Sequence, residues 1–176
     1  MRAKVASILM IAGSLVALSA VANDWGDWRS ERFAARLKPT EEVPALSSAA
    51  RGWFKATIDS ANQTISYELS YEGLEGAPLQ AHIHIGQRRV NGGISVFLCA
   101  NAPNVPDAAV PQPPACPPPP ATITGELTPA HIIGPVPQGI EASTSAANEF
   151  DELVRMIRSE LSYANVHSAR FPGGEI

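Results

Sequence analysis

Thr64-Ile65-Ser66-Tyr67-Glu68-Leu69-Ser70-Tyr71 places Ile65, Tyr67, Leu69 and Tyr71 on one side of an extended chain and Ser66, Glu68 and Ser70 on the other. Successive side chains of a strand point to opposite faces, so this octet reads as a strand with one face in a core and one in water. One strand earlier, Phe54, Ala56 and Ile58 keep the same period, and Asp59-Ser60-Ala61-Asn62-Gln63 between the two is hairpin-turn chemistry. Further short strands read at 79–85, 94–100, 121–127 and 162–168. The succession predicts an all-β domain over residues 37–176, an antiparallel sandwich or barrel.

Two segments interrupt the β pattern. Nine of the 16 prolines fall between Asn101 and Ala121, including Pro117 to Pro120. Proline has no amide to donate to a ladder, so 101–121 is expected as an extended surface loop. It reads as a stiff connector, with a strip for a proline-binding partner as the alternative. Over 148–161, Phe150, Leu153, Val154, Ile157 and Leu161 recur at helical spacing, behind Asn148 as a cap and acids in the first turn, with Arg155 and Arg158 later. One amphipathic helix is expected to pack on the sandwich.

Toward the N-terminus, residues 1–22 read as a secretory signal: Arg2 and Lys4, an apolar run from Val5 to Leu18, and a small-x-small site at Ala20-Val21-Ala22. The run is shorter than the roughly 20 residues of a bilayer span, so no membrane span is expected after cleavage. Residues 23–36 mix Trp25 and Trp28 with charges and read as a loose arm or short helix. The resulting expectation is a periplasmic or secreted protein. In that compartment Cys99 and Cys116 can pair, pinning the proline tract to the sheet, with two free thiols as the other outcome. With 176 residues, one domain is the natural size. A net charge of −4 without any Lys/Arg run removes the footprint of a nucleic-acid binder.

The chemistry-bearing residues are histidines. In 79–85, Leu79, Ala81, Ile83 and Ile85 share one face, which leaves Gln80, His82 and His84 on the polar face, expected to be wet. Two imidazoles at i and i+2 point the same way, about 7 Å apart by strand rise. The strand 162–168 repeats this arrangement, with Tyr163, Asn165 and His167 on its polar side. If the two strands are neighbours, three imidazoles converge, a donor set that suits copper or zinc, with copper(II) favoured by intrinsic affinity. His131, in Thr128-Pro129-Ala130-His131, reads as part of a capped turn. The chain has no cysteine pair at metal-finger spacing, no GxSxG and no phosphate-cradling glycine loop.

Taken in order, Leu37…Glu42-Val43-Pro44, Tyr71-Glu72-Gly73-Leu74-Glu75-Gly76, Ala81-His82-Ile83-His84-Ile85-Gly86, Thr124-Gly125-Glu126-Leu127 and Tyr163-Ala164-Asn165-Val166-His167…Pro172-Gly173-Gly174-Glu175-Ile176 resemble the CHRD (chordin) domain, in its bacterial single-domain secreted form. The resemblance runs over about residues 34–176. It implies an immunoglobulin-like or superoxide-dismutase-like antiparallel β-sandwich without a defined biochemical activity. It also places the family's recurrent histidines at His82, His84 and His167, accompanied by Glu42, Tyr163, Asn165 and Glu175. Two departures stand out: family members usually continue past GGEI into Arg-Gly-Gln, and the insert 141–148 is longer than usual. Glycines 86, 173 and 174 are expected to serve turns or bulges.

The leading reading is therefore an exported, non-catalytic domain that holds copper, or less readily zinc, on His82, His84 and His167. An extracellular or periplasmic module that binds a protein or glycan without metal is the alternative. A copper-dependent, superoxide-dismutase-like redox enzyme is the third, disfavoured because four histidines are too few for a two-metal, imidazole-bridged centre.

Overall fold

The computed structural model describes residues 30–107, 110–142 and 149–176. The expected signal segment, Trp25, Trp28 and the Asn148 cap lie outside the described residues. Among the described residues no helix is long and apolar enough to cross a membrane.

The described residues fold into seven strands, β1 (Glu31–Leu37), β2 (Arg51–Asp59), β3 (Thr64–Glu72), β4 (Pro78–Ile85), β5 (Gly93–Ala100), β6 (Ala121–Leu127) and β7 (Ser162–Ser168), with one α-helix, α1 (Glu149–Arg158). They form two antiparallel sheets in the orders β1-β2-β3-β6 and β5-β4-β7. The alternation in β3 is realised as expected: Ile65, Tyr67, Leu69 and Tyr71 are buried. Phe54, Ala56 and Ile58 on β2 bury the same face, next to Leu69, Tyr67 and Ile65 in the ladder. From the second sheet, Ala81, Ile83, Ile85, Val96, Leu98 and Val166 join the same core. Tyr67 crosses between the layers, its hydroxyl donating to the Leu98 carbonyl at 2.6 Å. The result is an all-β sandwich with one packed helix.

The loose arm needs correction over 31–36. Those residues pair with β2 from Glu31↔Ile58 to Leu37↔Gly52. Phe33, Ala35 and Leu37 turn toward the core while Arg32, Ala34 and Arg36 stay exposed, so an alternation is present. Alanines on both faces and flanking charges hide it in the sequence, and only the β2 partner makes the segment a strand.

Helix α1 sits on the core through Phe150, Leu153 and Val154. Arg158 at its C-terminal end forms an ion pair with Glu31 of β1 and donates to Ser60 Oγ at 3.0 Å. Cys99 and Cys116 are joined in a disulfide, as one of the two expected outcomes had it. The described part of the proline tract is tied down elsewhere as well: Tyr71 donates to the Pro117 carbonyl at 2.6 Å, and the Ala100 amide to the Pro114 carbonyl at 3.0 Å.

Candidate metal centre

β4 is the central strand of the three-stranded sheet, with β5 on one side and β7 on the other. The neighbouring of β4 and β7, on which the histidine reading depends, is therefore present, and its register sets His82 opposite Asn165, His84 opposite Tyr163, and Gln80 opposite His167. On the other side the β4–β5 ladder slips twice, between Ala81 and His82 and between Ile83 and His84, leaving Leu98 and Ser95 without a partner across from them. Bulges bend and twist a strand locally. Here the extra residues lie on β5, so β5 is the strand that bends, while on β4 the i, i+2 spacing keeps His82 and His84 on one face, where their rings meet edge to face at 5.3 Å between centroids.

His82, His84 and His167 each present one ring nitrogen, and these three atoms lie within 4.8 Å of one another. A point within about 2.8 Å of all three follows from that limit, against metal–imidazole bonds of about 2.0–2.1 Å, so a contraction of under about 1 Å seats an ion. His82 Nδ1 and His167 Nε2 are 3.2 Å apart.

The outer edges of two rings are already committed. His84 Nδ1 donates to the Gly92 carbonyl at 3.0 Å and His167 Nδ1 to the Pro172 carbonyl at 2.9 Å. Each neutral ring then carries its lone pair on Nε2. Nε2 of His84 and Nε2 of His82 are buried and have no hydrogen-bond partner.

The expectation of a wet face is wrong. His82 is 0% exposed, His84 7% and His167 6%. The loop 86–92 folds over His84, the segment 171–176 over His167, and Phe97 packs its ring against His82 at 4.4 Å. Burial disfavours imidazolium in all three, and His82 is pushed down to about 2 by desolvation first and then by its two histidine neighbours. Carbonyl hydrogen bonds oppose the shift in His84 and His167 without reversing it. Three neutral imidazoles are the protonation state that ligates a metal.

Of the accompanying residues, Tyr163 and Asn165 belong to this centre. Tyr163 stacks parallel on His84 at 4.9 Å, and its hydroxyl accepts the Gly92 amide at 3.0 Å. Asn165 places Oδ1 3.1 Å from His167 Nε2. Glu42 is hydrogen-bonded by Asn165, and burial lifts its carboxyl to about 7. Gly174, at φ 124°, passes so close that a Cβ there would lie 2.6 Å from Glu42 Oε2, so the expected turn glycine is also a close-approach glycine. Glu175 serves elsewhere: its Oε1 accepts from Ser48 Oγ at 2.6 Å and from the Glu75 amide at 2.9 Å, tying the C-terminal segment to two loops. His131 accepts the Thr128 amide at Nδ1 inside its 3-10 turn, Pro129–His131, apart from the other three.

Sequence reasoning missed Gly92, Pro172 and Phe97. The first two act through backbone carbonyls, which no side-chain pattern encodes.

The family model of the CHRD domain matches residues 33–176. The chain belongs to the CHRD-domain family. No curated protein and no solved structure matches it. The match spans the CHRD domain from within β1 to the C-terminal Ile176, and so covers both sheets, the helix and all three clustered histidines. Beside the CHRD domain's histidine centre, Tyr163, Asn165 and Glu42 also line a cleft of about 470 Å³ together with Arg88, and none of the three histidines reaches its wall.

Proposed function

We propose that this CHRD domain is an exported, non-catalytic protein that binds one transition-metal ion, copper in preference to zinc, through His82, His84 and His167. The observation that carries the reading is the gathering of one ring nitrogen from each of three buried histidines within 4.8 Å of one another, with His84 Nε2 left without a hydrogen-bond partner. Leaving a buried acceptor unsatisfied costs about 1–3 kcal/mol, and an ion shared by the three rings removes that cost. Donation of Nδ1–H from a ligating histidine to a backbone carbonyl is the usual outer-shell arrangement at metal sites, and two of the three rings have it. Three neutral nitrogen donors favour copper(II) over zinc by intrinsic affinity. The disulfide supports an oxidising compartment, the periplasm or the exterior.

Expression with copper and zinc supplied, followed by elemental analysis of the purified protein, tests the reading. One equivalent of copper in the wild type, lost in His82→Ala/His84→Ala, is the expected outcome. Metal retained by the double variant removes this centre. A wild type that stays metal-free leaves the CHRD domain as an interaction module, recognised by a partner whose binding is indifferent to chelators.

A further inference from the structure

Asn165 stands on β7 between the histidines and the cleft. Its amide bonds the Glu42 carboxyl on one side and approaches His167 on the other. Around Gly174, Glu42 Oε2 and Asn165 Nδ2 lie side by side, at 2.6 and 2.9 Å from where a Cβ would stand. The nitrogen of the amide thus faces Glu42, and the carbonyl oxygen faces the ring nitrogens.

That orientation brings two acceptors together. His167 has given its Nδ1–H to Pro172, so neutral Nε2 has only a lone pair, and Oδ1 at 3.1 Å has only lone pairs. A hydrogen from His82 Nδ1, 3.2 Å away, can satisfy the nitrogen but does nothing for the oxygen. Two atoms bound to one ion at about 2.0–2.1 Å sit about 3 Å apart, which is the spacing observed. The same amide also lies close to His84, without hydrogen-bond geometry to Nε2.

The geometry points to Asn165 Oδ1 as a fourth donor to the ion held by His82, His84 and His167, with Glu42 as the positioning residue that keeps the amide oxygen turned inward. This rests on the metal reading above and adds to it a three-nitrogen, one-oxygen donor set. It also gives the centre a direction. Asn165, Tyr163 and Glu42 line the cleft, whereas Phe97, the Gly92 carbonyl and the Pro172 carbonyl close the rings elsewhere. Asn165 is the one donor of the four that also lines the cleft, so the ion is loaded and released past it.

The test uses the full protein with copper(II), by chelator competition and electron paramagnetic resonance, on wild type, Asn165→Leu, Asn165→Asp and Glu42→Leu. Melting of each metal-free variant checks that it is folded. Asn165→Leu is expected to weaken copper by tenfold or more and to change the parallel hyperfine splitting. Asn165→Asp, which keeps an oxygen donor but loses the hydrogen bond to Glu42, is expected to hold copper more tightly than Asn165→Leu and with an altered spectrum. Glu42→Leu is expected to lose about 10–100-fold in affinity, the usual effect of removing an outer-shell partner, and to release copper faster to chelator. Copper bound by wild type and lost in His82→Ala/His84→Ala, but with affinity and spectrum unchanged in Asn165→Leu and Asn165→Asp, overturns the fourth donor and leaves the histidine centre standing. A wild type that takes up no copper overturns both.

Discussion

Gly92 shows how much one backbone position decides. Its carbonyl holds His84 Nδ1–H and its amide donates to Tyr163, the ring stacked on His84, so both members of that stack are anchored to one residue. A Cβ at Gly92 would fall 1.7 Å from the Ile85 carbonyl oxygen, which belongs to the ladder and cannot yield. Gly92→Ala is therefore expected to displace the loop 86–92, to lower stability by about 2–3 kcal/mol and to weaken copper binding, read by urea unfolding and by chelator competition. Wild-type affinity in that variant would mean that His84 needs no anchor. At this scale the sequence was legible for side chains and silent for backbone: His82, His84, His167, Tyr163 and Asn165 were readable from strand parity, whereas the carbonyls of Gly92 and Pro172 were not.

Among the elements, β4 and the proline tract carry most of the argument. The polar parity of β4 was readable, but its two slips against β5 were not, because a bulge depends on the partner strand. The proline tract is lashed to the sandwich by the Cys99–Cys116 disulfide, by Asn101, which donates to the Pro78 and Cys116 carbonyls at 2.9 Å each, and by Tyr71 on the Pro117 carbonyl. The two cysteines are 17 positions apart, and closing a loop of that length in the unfolded chain is worth about 3 kcal/mol. Reduction is expected to lower stability by about that amount in urea titrations with and without reductant, while the two sheets persist by circular dichroism. No change on reduction would mean that the hydrogen bonds alone hold the tract. β1 belongs here too: its alternation is shallow until β2 supplies the ladder, so the segment by itself reads as a loose arm or short helix.

For the whole molecule, burying a histidine trio in a sandwich has a consequence for acid stability. The native pKa values of His82, His84 and His167 are depressed by burial, while the unfolded chain titrates near about 6.5. As pH falls below that value the unfolded state takes up protons that the native state refuses, so stability is lost. Glu42 acts in the opposite sense: with its pKa raised to about 7, the native state keeps a proton that the unfolded state gives up near 4.5, so stability falls as pH rises across that window. Three groups outweigh one. The metal-free protein is expected to gain stability from about pH 5 to about pH 7 and then to level off, with Glu42→Gln steepening the rise, as urea unfolding across that range will show. A flat or falling profile would mean that the histidines are not buried neutral in solution. The alternation in 64–71, the parity of His82 and His84 and of Asn165 and His167, and the CHRD motifs were all fixed by local order along the chain, because side-chain direction in a strand follows from residue count alone. The exclusion of water from that polar face, the orphaned nitrogens and the meeting of Asn165 with Glu42 were decided by tertiary structure. They depend on which loops fold over the strands and on which strands pair, and the meetings of His82 with His167 and of Glu42 with Asn165 join residues more than 80 positions apart.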